Sequence, residues 1–175
     1  NRAWVNQYRT YLQSIDPTNT VTNLAKGGYT TCAIMPTGTD PYDTGNHILE
    51  VDTERNITKA LSLSPNAIII NMPTNDVSNG IPVATQMKHF ATIIDLAKAA
   101  GVKVWITTSQ THNFGEKYDG PYSEEHQPDI WKQAARDQFK ELTDSILNKY
   151  GEYALDFYTP IATEDGYSFI RTEYD

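Results

Sequence analysis

The residues best placed to do chemistry follow a short apolar run in the middle of the chain. The run is Ala67–Ile70, and the polar residues 71–76, which include Thr74, Asn75 and Asp76, come almost directly after it. Such a run is typical of a strand buried on both faces of a parallel sheet. Open α/β sheets place their ligands at the carboxyl ends of such strands. An asparagine there can direct its amide at a substrate oxygen, although the same residue types also form ordinary turns.

A second polar segment, residues 23–31, contains Gly28, Tyr29 and two threonines. It follows residues 20–25, for which the sequence predicts a short strand that the glycines at 27 and 28 end. If both segments leave strands of one parallel sheet, they lie at the same edge of it. The two segments are therefore expected to form one site.

The elements that must position these residues alternate between helix and strand. Apolar spacing predicts helices at the start of the chain and over residues 54–63, 83–100 and 128–150. Strands are predicted over residues 20–25, 67–72, 102–108 and 153–158, and residues 35–52 are predicted to be a loop. This alternation indicates one α/β domain over residues 1–175, with a parallel sheet and helices on both of its faces.

In this order, the two polar segments resemble those of the SGNH (GDSL-type) hydrolases. The family's second sequence block is a strand ending in Asn, then a Gly that Gly28 matches, then Thr. Its third block is Gly-x-Asn-Asp, which Asn75 and Asp76 match, whereas Pro73 stands in place of the Gly. The resemblance implies a three-layer α/β/α sandwich with a parallel, flavodoxin-like sheet. It also implies an esterase, acetylesterase or deacetylase that needs no cofactor.

The resemblance assigns an oxyanion hole to two residues. Ester hydrolysis passes through a tetrahedral oxyanion, which needs preorganised donors. Gly28 is expected to offer its backbone N–H and Asn75 its side-chain NH₂, while Asp76 is expected to be a structural acceptor that holds the loop. Substrate contacts are expected from Tyr29, Thr74, Gln110 and His112. The substrate is expected to be a small-molecule or carbohydrate ester.

The remaining half of the family's catalytic machinery is not found in the sequence. The nucleophile's Gly-Asp-Ser motif and the Asp-x-x-His motif are both absent, and residues 165–168 end in Ser rather than His. We expect the chain to be an excised part of a longer enzyme, with the first strand and last helix outside it. In the family that strand lies between the second and third strands, so its removal would leave unpaired groups that cost roughly 1–3 kcal/mol each. The alternative is a non-catalytic carbohydrate-binding or scaffold relative.

Other candidate sites are weaker. Cys32 is the single cysteine and has no histidine at a motif-like spacing, which favours a small buried residue. His112, Asp119 and His126 match no metal-binding spacing, so no metal is expected. Residues 26–28 lack the remaining elements of a phosphate loop. The loop at 35–52, with Tyr42 and His47, either walls the cleft and selects the substrate or is a surface excursion.

Charge and hydropathy exclude two classes of partner. The net charge is −8, whereas a nucleic-acid-binding protein needs a basic face. No apolar run approaches the length of a membrane span, so none is expected. One cysteine allows no intrachain disulfide. The compartment therefore stays open, with a secreted or periplasmic location favoured.

Overall fold

A three-stranded parallel sheet forms the centre of the structure. The computed structural model describes residues 3–72, 74–110 and 129–162. The sheet has the order β3-β4-β5, with β3 at Ala67–Ile70, β4 at Lys103–Thr107 and β5 at Ala154–Leu155. Both pairings are parallel, so the carboxyl ends of the strands lie at one edge.

Five helices accompany the sheet in the described ranges. They are α1 (Trp4–Ile15), α2 (Ile57–Ser62), α3 (Asn75–Ser78), α4 (Val83–Ala99) and α5 (Asp129–Tyr150). Two short 3-10 helices cover Thr31–Ile34 and Gly151–Tyr153. The long connections from β3 to β4 and from β4 to β5 carry α4 and α5, as parallel pairing requires. The predicted α/β class is therefore confirmed.

The main core lies between one face of the sheet and the helices α4 and α5. Val104 and Ile106 of β4 are buried there beside Ile70, and α4 and α5 contribute buried apolar residues that include Phe90 and Ile146. The opposite face carries Ile69 and Trp105, which are half-buried and paired in register. A two-residue alternation in β4 thus separates the packed face from the other.

A second, smaller core lies under the short helix α3. Val77 of α3 packs in a buried cluster with Phe139 and Ala135 of α5 and with Tyr158, which follows β5. The side chains of Gln86 and Gln138 both donate to the carbonyl oxygen of Ile81, at 2.7 and 2.6 Å. These contacts fix the segment between β3 and α4, on which Asn75 and Asp76 lie.

The predicted strand at residues 20–25 is wrong. This segment is irregular, and side chains rather than a neighbouring strand bind its backbone. The guanidinium of Arg9 donates twice to the carbonyl oxygen of Val21, at 3.0 and 2.8 Å. The Asn23 side chain accepts from Ala25 N at 2.9 Å, which is an Asx-turn. A strand needs a paired neighbour, and these local contacts replace one.

The predicted burial of β3 on both faces is also wrong. Ala67 is exposed, Ile68 and Ile69 are half-buried, and Ile70 alone is buried. The reason is that β3 lies at the end of the sheet order, where β4 is its one paired neighbour among the described strands. A strand in such a position keeps one side open to solvent.

Three connections differ from their predicted form. Residues 35–52 contain a small antiparallel hairpin of β1 (Tyr42–Asp43) and β2 (Ile48–Leu49), whose turn has Gly45 at φ +84°. The polar segment after β3 contains the one-turn helix α3. The last strand is shorter than predicted because the Thr108 hydroxyl accepts from Phe157 N and Tyr158 N, at 2.8 and 3.0 Å, and so ends the ladder.

Candidate active site

Gly28 lies in a tight turn that exposes its backbone. Tyr29 N donates to Lys26 O at 3.4 Å, and Gly28 has φ +84° at the third position, as in a type II turn. A Cβ built on Gly28 would meet no atom within 4 Å, so the space beside it is open. Gly28 is exposed, and its N–H has no acceptor within the described ranges. This N–H is therefore available to a ligand.

Asn75 begins α3 and points its side chain back to that turn. Its Nδ2 donates to the carbonyl oxygen of Tyr29 at 2.8 Å. Its own carbonyl oxygen accepts from the Asn79 backbone and side chain, at 2.9 and 2.8 Å, which fixes the helix start. The side-chain amide carries two protons, and one of them is used by Tyr29. The second proton of the Asn75 amide has no acceptor among the described residues.

Asp76, the residue after Asn75, is a buried acceptor that joins the two segments. It is 3% exposed, and its Oδ1 accepts from Thr31 N at 2.9 Å and from the Thr31 hydroxyl at 2.5 Å. Burial raises the pKa of the Asp76 carboxyl to about 6, against the opposing effect of these hydrogen bonds. The contact spans 45 residues of sequence and fixes the position of the Gly28 turn relative to α3.

The Thr31 hydroxyl also contacts His89, which the sequence did not mark. His89 Nδ1 on α4 lies 2.8 Å from Thr31 Oγ1 and 4.0 Å from Cys32 Sγ. The Tyr42 ring stands edge-on to the imidazole, with ring centroids 6.2 Å apart. His89 lies 58 residues from Thr31 in the chain, so no spacing pattern connects the two. No pattern around His89 marks it either, because its neighbours at helical spacing are mostly polar: Thr85, Gln86, Thr92 and Ile93.

Tyr29 contacts the segment that follows the hairpin. Its hydroxyl donates to the Asp52 carboxylate, and this hydrogen bond is the main reason that the pKa of Asp52 is lowered. The Lys26 ammonium lies 5.2 Å from the Tyr29 ring centroid. A polar cavity of about 330 Å³ lies between Tyr29 and residues 50–53. The end of the loop at 35–52 therefore contacts Tyr29 through Asp52.

The other predicted contact residues are less closely joined to the turn. Thr74 is half-buried beside Asn75, and its carbonyl oxygen accepts from Ser78 N at 3.2 Å. Gln110 is exposed three residues after β4, and His112 lies outside the described residues. The ends of β3 and β4 are joined instead by Asn71, whose Nδ2 donates to Thr107 Oγ1 at 2.8 Å.

The weaker candidates are placed as follows. Cys32 is a free, buried thiol, and burial raises its pKa, which disfavours the thiolate. Asp119 and His126 of the postulated metal set, and Pro73 of the Asn75 segment, lie outside the described residues. In the part of the chain that the structure describes, no helix is long and apolar enough to cross a bilayer.

Comparison with known proteins identifies the family. The model of the GDSL-like Lipase/Acylhydrolase family matches residues 1–170, so the chain belongs to this family. The family consists of hydrolases that act on ester bonds, and the parallel sheet with its helices agrees with the family's α/β fold. No curated protein and no solved structure matches the chain. The resemblance drawn from Gly28, Asn75 and Asp76 is thus confirmed at the level of the family.

Proposed function

We propose that this chain carries the oxyanion hole of a serine-dependent ester hydrolase, formed by Gly28 N–H and Asn75 Nδ2–H. The observation that carries the proposal is the 2.8 Å hydrogen bond from Asn75 Nδ2 to Tyr29 O. It brings a side-chain donor with a second proton to the residue that follows Gly28, whose exposed N–H lacks an acceptor in the described ranges.

The two donors act on the carbonyl oxygen of the ester. Attack by a serine hydroxyl forms a C–O bond to the carbonyl carbon, and the carbonyl electron pair moves to the oxygen, which becomes the oxyanion. The two N–H groups stabilise that charge. Collapse of the intermediate breaks the bond to the leaving alcohol and leaves an acyl-serine, which water then hydrolyses. The proposal assigns the oxyanion-stabilising part of this reaction to Gly28 and Asn75.

Gly28 is suited to this role by its backbone conformation. A left-handed residue at the third position of the turn directs its N–H away from the turn's own hydrogen bond, and glycine adopts that conformation without strain. The missing Cβ also allows a substrate to approach the backbone closely. We expect the substrate to be contacted by Tyr29 and Thr74, which adjoin the two donors in sequence, and by Gln110 and His112.

The experiment compares ester turnover by the full-length protein with that of two asparagine variants. Asn75→Ala removes the proposed donor, and p-nitrophenyl acetate is the substrate. We expect kcat to fall about 100- to 1,000-fold with little change in KM, as for the loss of one oxyanion donor. Asn66→Ala is the matched control, because Asn66 is exposed just before β3, at the opposite end of that strand from Asn75. It should retain the parent rate.

The opposite result has a clear meaning. Turnover that is indifferent to Asn75→Ala contradicts the oxyanion hole. Absence of turnover by the full-length protein, on this and on acetylated carbohydrate esters, favours the non-catalytic relative. Inactivation by a serine-directed sulfonyl fluoride tests separately that a serine is the nucleophile.

A further inference from the structure

The side chains of Asp76, Thr31 and His89 form a continuous hydrogen-bond network close to the Gly28 turn. Thr31 Oγ1 lies 2.5 Å from Asp76 Oδ1 on one side and 2.8 Å from His89 Nδ1 on the other. Thr31 is fully buried and Asp76 is 3% exposed, while His89 is half-buried on α4. The side chains of Asp76 and Thr31 are thus shielded from water, and His89 is the one member that reaches solvent.

Because the Thr31 hydroxyl has a single proton, it can donate to only one of its two partners in this network. An ionised carboxylate can only accept, so the proton points to Asp76 when Asp76 is charged. Thr31 Oγ1 then accepts from His89, whose proton must be on Nδ1. When Asp76 is protonated, the reverse order becomes available, in which Thr31 donates to His89 Nδ1. The protonation state of Asp76 and the tautomer of His89 are therefore linked.

The hydrogen-bond network adjoins both proposed oxyanion donors in the sequence. Asn75 immediately precedes Asp76, and Gly28 lies three residues before Thr31. The backbone N–H of Thr31 also donates to both carboxylate oxygens of Asp76, at 2.9 and 3.0 Å. The orientation of the Thr31 hydroxyl therefore affects the contact that holds the two donors in register.

We propose that His89 is a positioning residue for ester hydrolysis, acting as an Nδ1–H donor that keeps the Thr31 hydroxyl directed at the Asp76 carboxylate. The inference rests on the proposed function of Gly28 and Asn75. His89 touches neither substrate nor reacting atoms. His89 favours the arrangement in which Asp76 is ionised and accepts hydrogen bonds from both the N–H and the O–H of Thr31.

The groups that face His89 agree with a neutral imidazole. Cys32 approaches Nδ1 from the 3-10 helix, the Tyr42 ring approaches from β1, and Lys88 is its neighbour on α4. Burial, and to a smaller extent Lys88, lowers the pKa of His89. Asp76, reached through Thr31, is the carboxylate of the network. A neutral imidazole donates from one nitrogen at a time, so its tautomer shows whether His89 donates to Thr31 or accepts from it.

The kinetic test uses two variants of the full-length protein. His89→Leu removes the donor, whereas His89→Asn keeps an N–H near the position of Nδ1. We expect His89→Leu to lower kcat on p-nitrophenyl acetate about 10- to 100-fold at unchanged KM, since the donors remain but are misplaced. The acid limb of its kcat profile should move to higher pH, because the Thr31 hydroxyl loses the partner that keeps it directed at the Asp76 carboxylate. His89→Asn should restore most of kcat and return the acid limb to its original position.

The spectroscopic test does not depend on turnover. In protein labelled with ¹⁵N-histidine, the His89 signals are identified by their loss in His89→Asn. At about pH 7.5, above the pKa of Asp76, the protonated nitrogen of His89 should be Nδ1. An Nε2–H tautomer at that pH overturns the inference.

The kinetic outcomes separate the two proposals. Loss of turnover in Asn75→Ala without any effect of His89→Leu overturns the role of His89 alone. Equal losses of kcat in His89→Leu and His89→Asn, with no shift of the acid limb, also overturn it, because they indicate a packing role. Turnover indifferent to Asn75→Ala overturns the proposed function itself.

Discussion

Replacing Asp76 by Asn should change how the stability of this protein depends on pH. The pKa of Asp76 is raised from 3.8 to about 6, mainly by burial. Its proton is therefore bound more tightly in the folded state than in the unfolded state. The resulting stability is fully present below about pH 3.8 and is lost as the pH rises through about 6. At about 1.4 kcal/mol per pH unit, the difference is about 3 kcal/mol.

Urea unfolding of the parent and of Asp76→Asn measures this effect. We expect the stability of the parent relative to the variant to fall by about 2.4 kcal/mol between about pH 4 and about pH 7.5, because Asn cannot ionise. Asp40→Asn is the control, since Asp40 is exposed, and it should follow the parent at every pH. A parent-minus-variant difference that is constant to within about 0.5 kcal/mol would refute the penalty for burying the charge. A difference that grows with pH would show that Thr31 lowers the pKa of Asp76 below its ordinary value.

Two further predictions concern the turn and the thiol. Gly28→Ala should destabilise the fold by about 1–2 kcal/mol because of the positive φ, whereas Gly27→Ala, with a negative φ and equally open space, should be neutral or stabilising. Equal urea midpoints for the two variants would contradict this. Cys32 is 3% exposed with a raised pKa, so Ellman's reagent should label it at least about tenfold more slowly in the native protein than in urea. Equal labelling rates would contradict its burial.

The elements with strong periodicity could be predicted from the sequence, and those defined by a partner could not. The helix predicted at 83–100 is Val83–Ala99, because its apolar spacing and the following Gly101 act locally. The strand predicted over 102–108 is Lys103–Thr107, because its run of apolar and β-branched residues is also a local signal. The strand predicted at 20–25 is absent, since pairing depends on a neighbour and the Arg9 side chain takes the carbonyl of Val21 instead.

The candidate site divides in the same way. Gly28 and Asn75 could be selected because a family motif fixes their residue types and order. His89 could not, because its contact with Thr31 depends on how α4 packs against the 3-10 helix, and that packing has no signature in the spacing. The short helix at Asn75 was missed as well, since a four-residue helix is too short to show a period.

The burial of Asp76 is explained by the position of its contacts rather than by the stability of the fold. A carboxylate that is only 3% exposed opposes folding at neutral pH, and an apolar residue there would leave the Thr31 N–H without its acceptor, at a cost of about 1–3 kcal/mol. Asp76 satisfies the N–H and the hydroxyl of Thr31 together, which holds two segments that are 45 residues apart at one fixed separation. The proposed donors Gly28 and Asn75 lie within three residues of this contact. Oxyanion stabilisation requires donors that are in place before the negative charge develops on the substrate oxygen. The contact between Asp76 and Thr31 is close to both proposed donors and holds them in place, which explains a buried carboxylate at this position despite its cost to folding.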